Sequence, residues 1–304
     1  MAEFKNKFDW SISRQRNFDK CKRLYYYNHY GMWNGWDIYA PEEARLCYRL
    51  SKMTNLQILA GSVVHPMIHE LLESVKSPKL MRLDSLKTRA RDKLNGAWKQ
   101  SKDKLWLESP KWNINLFEHY YNRKPSKEYL ERIKTKVMTC LTNFYNSEIF
   151  LNIQEVDTIN WKPIEEFQEL QIENCRVGLK MDFAIEIDGN LEIYDWKTGK
   201  EDESNIEQLV CYALYGEQAW GYTLDNIILN IFYLNENQIE EHKVSAEQKG
   251  EAVDRIIQNS ERMLGMLEDK DNNIASKDNF PMIDNLNECK WCFFQEMCYG
   301  GSLE

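Results

Sequence analysis

The spacing of apolar side chains changes character along the chain. Over residues 8–30 they recur at helical intervals, with Phe18, Cys21, Leu24 and Tyr25 on one face and Ser11 or Ser13 placed to cap the start. Residues 55–75 repeat the pattern through Val63, Val64, Ile68, Leu71 and Leu72, and Pro66 predicts a kink there or a helix start nearby. Residues 76–160 read as mostly helical, with Pro110 and Pro125 as breaks. At Ile164 the period shortens to two. Residues 167–172, 176–186 and 191–196 alternate apolar with polar, and Asp188-Gly189-Asn190 supplies a turn, which predicts a β-meander. An amphipathic helix follows at 207–222, a buried strand at 225–233 and a long helix at 246–267; from Pro281 the pattern is irregular. There is no internal repeat and no low-complexity linker. The pattern predicts one α/β domain over residues 1–304, with a helical insertion at 76–160 and a cysteine-rich segment at 281–304.

Composition adds limits. With 43% hydrophobic, 29% charged and 12% aromatic residues, the chain is too apolar to be disordered. No apolar run approaches the roughly 20 residues of a membrane span, so no membrane partner is expected. Residues 1–7 lack the apolar stretch of a secretory signal, which predicts an intracellular, cytoplasmic protein.

The net charge of −9 argues at first against a nucleic-acid partner, but the charge is segregated. Residues 5–27 hold seven basic side chains against two acidic ones, and residues 76–104 hold ten against three. An acidic body with two basic stretches is compatible with a local phosphate-binding face, because counterion release depends on the contacting surface. Two solvated helix faces would give the same pattern. Trp98, Trp106 and Trp112 lie in or beside the second stretch, either as packed core or as stacking platforms for bases.

Eight cysteines divide into two groups. Cys47, Cys140, Cys175 and Cys211 are scattered, as small buried hydrophobes are. Cys289, Cys292 and Cys298 form C-x2-C-x5-C, and Cys21 stands near the opposite end. In a reducing compartment such clustering points to metal or redox chemistry. No histidine follows His242, so a finger with local Cys and His ligands is excluded. A four-thiolate zinc site and a four-thiolate iron–sulfur cluster both fit the spacing. Thioredoxin-like use of Cys289 and Cys292 lacks the surrounding βαβ pattern.

The richest chemistry lies in Gly178-Leu-Lys-Met-Asp182 and, one hairpin later, Asp195-Trp-Lys197-Thr-Gly199. Residues two apart in a strand share a face, so Asp195 and Lys197 project together. An antiparallel neighbour about 4.8 Å away brings Asp182 beside Asp195. Two such carboxylates repel unless a cation joins them, and hard oxygen ligands suit Mg²⁺ or Mn²⁺. Lys197 is then placed to orient a water and to stabilise charge growing on a phosphate. An ordinary hairpin with solvent-facing charges is the plain alternative. Gln208 and Tyr212 stand four apart on one helical face, turned to the site or to solvent. His65 offers a ligand nitrogen or is a structural histidine; His69, four residues on, is given no role.

Taken together these residues resemble the PD-(D/E)XK nuclease superfamily, and within it the RecB-like branch. The motifs that carry the resemblance are Gly61-Ser-Val-Val-His65, Gly178-Leu-Lys-Met-Asp182, Asp195-Trp-Lys197-Thr-Gly199 and Gln208-x-x-x-Tyr212. The opening Ser11-x-Ser13-Arg14 with Phe18, Cys21 and Lys22-Arg-Leu-Tyr-Tyr26 is similar to the start of that branch. The split cysteine set is similar to that of iron–sulfur nucleases typified by the AddB nuclease domain and the CRISPR-associated RecB-like exonucleases. Any one motif is common by chance; their order along the chain carries the likeness. No helicase motif and no Gly-x-x-x-x-Gly-Lys phosphate loop is present, and the stretch between His65 and Asp182 is longer than in the compact CRISPR-associated members.

The resemblance implies a restriction-endonuclease-like core, a mixed central sheet flanked by helices, with the helical insertion added. It implies metal-dependent cleavage of DNA, as an exonuclease on single strands or ends, with a separate helicase or CRISPR adaptation proteins as partners. It implies Mg²⁺ or Mn²⁺ on Asp182, Asp195, His65 and the carbonyl of Trp196, with Lys197, Gln208 and Tyr212 completing the catalytic group. It implies a [4Fe–4S] cluster on Cys21, Cys289, Cys292 and Cys298 that clasps the chain ends, with zinc as the second choice. Closing so long a loop restrains the unfolded chain, and because phosphodiester hydrolysis needs no redox step a structural cluster is favoured over an electron carrier. A non-cleaving module that holds DNA ends is the rival class, and a redox protein the third; no flavin or nicotinamide motif supports the last.

Overall fold

The computed structural model describes residues 5–163, 166–200 and 204–303, with the side chain of Ser204 left out; Ile164, where the periodicity changes, lies outside the described residues. The amino-terminal helix expected over residues 8–30 is broken. Ser11 caps α1 (Ile12–Lys20) by accepting the Arg14 N–H at 3.3 Å. Cys21 then adopts an extended backbone, φ −163° and ψ 124°, and the chain resumes as α2 (Lys22–Tyr26) and a π-turn over Tyr27–Gly31. The break has a distant cause: the backbone N–H and the Nε–H of Arg23 donate to the carbonyls of Pro281 and Phe280, 3.1 and 2.6 Å away. Helix α3 (Glu42–Ser51), unforeseen in the sequence, begins after Pro41 with two acidic residues in its first turn.

After β1 (Met53–Thr54), Asn55 caps α4 (Leu56–Val75), which runs unbroken through Pro66. The nine buried residues on this helix explain why. An interior proline costs about 3 kcal/mol, whereas each buried Leu, Ile, Val or Met contributes about 1.5–3 kcal/mol. The insertion carries α5 (Leu83–Lys102), α6 (Phe117–Tyr120), α7 (Lys127–Tyr145) and α8 (Glu148–Glu155). It is not wholly helical, since β2 (Asn115–Leu116) pairs in parallel with β1. Trp106 is buried, Trp98 partly so, and Trp112 is 76% exposed, so the three tryptophans have three different environments.

Among the described residues the remaining strands form two further sheets. β3 (Phe167–Ile172) and β4 (Cys175–Lys180) make an antiparallel pair, to which Trp10 adds a bridge at Val177. β5 (Phe183–Ile187), β6 (Asn190–Lys197), β7 (Ile227–Tyr233) and β8 (Gln238–His242) form the central sheet in that order. β5–β6 and β7–β8 are antiparallel; β6 and β7 are parallel and connected through α9 (Ser204–Trp220). The mixed sheet is covered on both sides. Alternate strand residues point to opposite faces, so Phe183, Ile185, Tyr194, Trp196 and Phe232 pack with α4, α5, α7 and α8. Ala184, Ile193, Leu229 and Ile231 instead pack with α9 and α10 (Ala246–Leu264). The carboxy-terminal segment, with α11 (Leu286–Cys289) and α12 (Gln295–Tyr299), returns to the start of the chain. There Phe294 joins Tyr27, Cys47 and Phe117 in a third apolar cluster.

Asp188 and Gly189 form the two-residue turn between β5 and β6, with φ 50° and 80°. Two positive φ values are the signature of the type I′ hairpin turn, which matches the twist of its strands. A side chain at the second position costs about 1–2 kcal/mol in this region. Gly189→Val is therefore expected to lower Tm by a few degrees in a thermal melt; an unchanged Tm would contradict the turn.

Candidate active site

The alternating pattern of residues 176–186 predicts one strand, yet the chain leaves one sheet and enters another at Met181 and Asp182. The physical reason is a side chain acting as backbone. Asp182 Oδ2 accepts the Trp196 N–H at 2.7 Å, and so extends the β5–β6 ladder by one rung beyond the Phe183–Tyr194 pair. That rung sets Asp182 across from Asp195. Both residues are buried, with 8% and 2% of their surfaces exposed.

Each carboxylate has its own company. Asp182 Oδ1 accepts from His65 Nδ1–H at 2.8 Å, and since an ionised carboxylate only accepts, this places a proton on Nδ1. His65 sits one turn after Gly61 on α4. A Cβ at Gly61 would lie 3.2 Å from Thr198 Oγ1, so the absence of a side chain there lets α4 lie close to the end of β6. Asp195 and Lys197 share a face of β6, and Lys197 Nζ stands 2.6 Å from Asp195 Oδ2 as an ion pair. This buried oxygen has no other partner among the described residues.

Helix α9 supplies the brace. Lys197 Nζ donates to Gln208 Oε1 at 2.8 Å, and Gln208 Nε2 donates to Tyr212 Oη. The single phenolic proton of Tyr212 is shared between the Lys180 carbonyl at 2.7 Å and Asp195 Oδ1 at 3.2 Å. One continuous network thus joins β4, β6 and α9. The i, i+4 spacing puts Gln208 and Tyr212 on the same face of the helix.

Burial of two like charges splits their acidities. Burial, and then the charge of Asp182, raise Asp195 above the usual carboxylate range, against the opposing pull of Lys197 and His65. Burial also pushes Asp182 up, but His65, the Trp196 N–H and Lys197 together carry it below the ordinary value. Tyr212 is raised well above the usual phenol by burial and by the two aspartates, so it stays a neutral donor.

The donor set fits a hard divalent cation. Two adjacent buried carboxylates, one with an oxygen held only by the ion pair with Lys197, gain most from a positive charge between them. Among the described residues, no three His, Cys, Asp or Glu side chains are grouped tightly enough to hold a metal ion. The backbone of Trp196 enters the site through its N–H, while its ring is buried against Tyr194, Phe144 and Phe232. His69 lies apart from the network, its Nδ1 buried without a partner.

The four outlying cysteines line one cavity together with Arg23, Tyr27 and Phe294. Burial lifts the Cys292 thiol to about 11, and the neighbouring thiols of Cys298, Cys21 and Cys289 push the same way. Cys298 is also raised by burial, against the opposing effects of Tyr27 and Arg23. The extended backbone at Cys21, invisible to periodicity, starts α2 beside this cavity. Two contributors to the aspartate site were also hidden from sequence reasoning, the Lys180 carbonyl and the Trp196 N–H. Backbone groups carry no residue-type signal.

Residues 9–299, nearly the whole chain, match the family model of the PD-(D/E)XK nuclease superfamily. No curated protein matches the chain.

The raised acidity constant of Asp195 has a consequence for stability. A carboxyl whose folded pKa lies above its unfolded value loses stability as pH rises between the two. Asp195→Asn is therefore expected to raise Tm at neutral pH in metal-free buffer, and the gain should shrink as pH falls toward about 4, where the unfolded carboxyl protonates. A neutral-pH Tm below that of the wild type would contradict the electrostatic account.

Proposed function

We propose that this chain, which belongs to the PD-(D/E)XK nuclease superfamily, is a metal-dependent deoxyribonuclease of the RecB-like branch, acting as an exonuclease on single-stranded DNA or on DNA ends. The observation that carries the reading is the buried Asp182–Asp195 pair with Lys197 held beside it. An ordinary solvent-facing hairpin would gain nothing from sinking two carboxylates next to each other.

Asp182, Asp195 and the carbonyl of Trp196 would hold Mg²⁺ or Mn²⁺, with His65 as a further ligand. When bound, the cation supplies charge neutralisation and a lowered pKa for a coordinated water. The protein's own residues do the rest. His65 Nδ1–H and the Trp196 N–H fix both oxygens of Asp182, so this carboxylate needs no reorganisation when substrate arrives. Gln208 holds the Lys197 ammonium where it can orient a water and stabilise negative charge on the phosphoryl oxygens. Tyr212 keeps Gln208 and Asp195 in register. Attack by water forms a P–O bond as the bond to the leaving sugar oxygen breaks, and that oxygen takes up a proton.

The structural cofactor belongs to the same proposal. Cys21, Cys289, Cys292 and Cys298 would bind a [4Fe–4S] cluster that fastens the tail to the start of α2, as the four thiols around one cavity suggest. A helicase or CRISPR adaptation proteins are the partners in keeping with this reading.

Two measurements test these assignments. Asp195→Ala and Lys197→Ala are each expected to lower cleavage of labelled single-stranded DNA in Mn²⁺ by about 10²-fold or more, and EDTA should abolish the wild-type activity. Wild-type rates from either folded variant would refute the site. Anaerobically purified protein is expected to be brown with about four irons per chain, and Cys298→Ser to lose the colour; a colourless protein with one zinc would replace the cluster by zinc.

A further inference from the structure

The helical insertion contains a second concave surface that the cleavage chemistry does not use. A cavity of 560 Å³ opens between the end of α5, the turn after it and the segment from α6 to α7. Lys102, Lys104, Arg123 and Lys124 surround it. Among the described residues none of the three lysines has an ion-pair partner. Lys104 holds a left-handed backbone with φ 56°, which a side chain adopts at some cost in energy.

The walls of the cavity are aromatic. Trp98 packs edge-on against His119 with centroids 4.4 Å apart, and Trp106 packs against Tyr120 at 5.4 Å. Trp98, His119 and Tyr120 are only partly buried, so ring surface is left to the cavity. The one acidic lining residue, Glu118, is buried, accepts the Leu56 N–H at 3.1 Å and has its carboxyl raised by burial. Burial and then Lys102 lower His119, which keeps that ring neutral.

In a chain of net charge −9, four cations around aromatic walls form a particular combination. Cations that track phosphates and flat rings on which bases stack are the two requirements of single-strand binding. A larger groove between α5 and α7 also carries Lys87, Arg91 and Lys134. It has no aromatic lining, and its Lys134 is already paired with Glu131, so it meets only one requirement.

We infer that this cavity is a holding site for single-stranded nucleic acid, taking a base between the aromatic walls and the flanking phosphates on the lysines. It rests on the nuclease reading for its purpose, though not for its binding chemistry. Glu118 touches Leu56, nine residues before His65 on α4, which is about 14 Å along the helix axis. The cavity thus adjoins the start of the helix whose His65 faces the aspartate pair, and in the nuclease reading it holds the strand whose end is cut.

The test is binding of a fluorescent oligothymidylate of about 20 nucleotides to the full chain in EDTA, over a range of salt. Lys102→Gln/Lys104→Gln/Lys124→Gln should bind at least about tenfold more weakly at low salt. The slope of log K against log salt should fall by about 2, at roughly 0.7 per lost phosphate contact. An abasic strand of the same length should bind the wild type several-fold more weakly, as base stacking requires. An unchanged slope in a variant with wild-type circular dichroism would overturn the site, and equal binding of the abasic strand would overturn the stacking. Binding in EDTA needs no cleavage, so an inactive wild type that shows these binding differences counts against the nuclease reading and not against this site.

Discussion

Everything about the centre of this molecule follows from placing two carboxylates side by side where water scarcely reaches. Asp182 and Asp195 face each other across one rung of an antiparallel hairpin. Left alone, two such charges would protonate or push the strands apart. The fold answers with directed partners. His65 and the Trp196 N–H hold Asp182, while Lys197 and Tyr212 stand against Asp195. One oxygen of Asp195 is held only by the ion pair with Lys197, and the proposed chemistry adds a divalent cation to this cluster.

These partners come from both sides of the central sheet. Helix α4 brings His65 from the face packed by the insertion, and Gly61 keeps it close to Thr198. Helix α9, which connects the two parallel strands β6 and β7, brings Gln208 and Tyr212. The apolar residues of β6 alternate between the two cores, with Ile193 in one and Trp196 in the other. Burial on both faces thus locks the strand that carries Asp195 and Lys197, and a one-residue slip would exchange the two faces.

Much of this was legible in the sequence, for identifiable reasons. The common face of Asp195 and Lys197 needs only the two-residue period of a strand. The two-residue turn at Asp188 and Gly189 then places β5 against β6 without further assumptions. Gln208 and Tyr212 required only helical spacing. What escaped was decided by partners remote in sequence. The alternation of residues 176–186 is unbroken, so it gave no sign that Asp182 would replace a backbone acceptor and divide the strand. Helical spacing also runs through Cys21, whereas the break there is set by bonds from Arg23 to Phe280 and Pro281. Pro66 argued for a kink by local rules, which the burial of α4 outweighs. The pairing of β1 with β2 involves two residues on each side, too few to show a period.

The most direct measurement of the central claim is a crystal soaked in MnCl₂, with anomalous diffraction recorded above and below the manganese edge. The account predicts a peak bridging the carboxylates of Asp182 and Asp195, lost in Asp195→Asn crystals. Well-ordered carboxylates with no anomalous peak between them, at manganese concentrations that support cleavage, would contradict it.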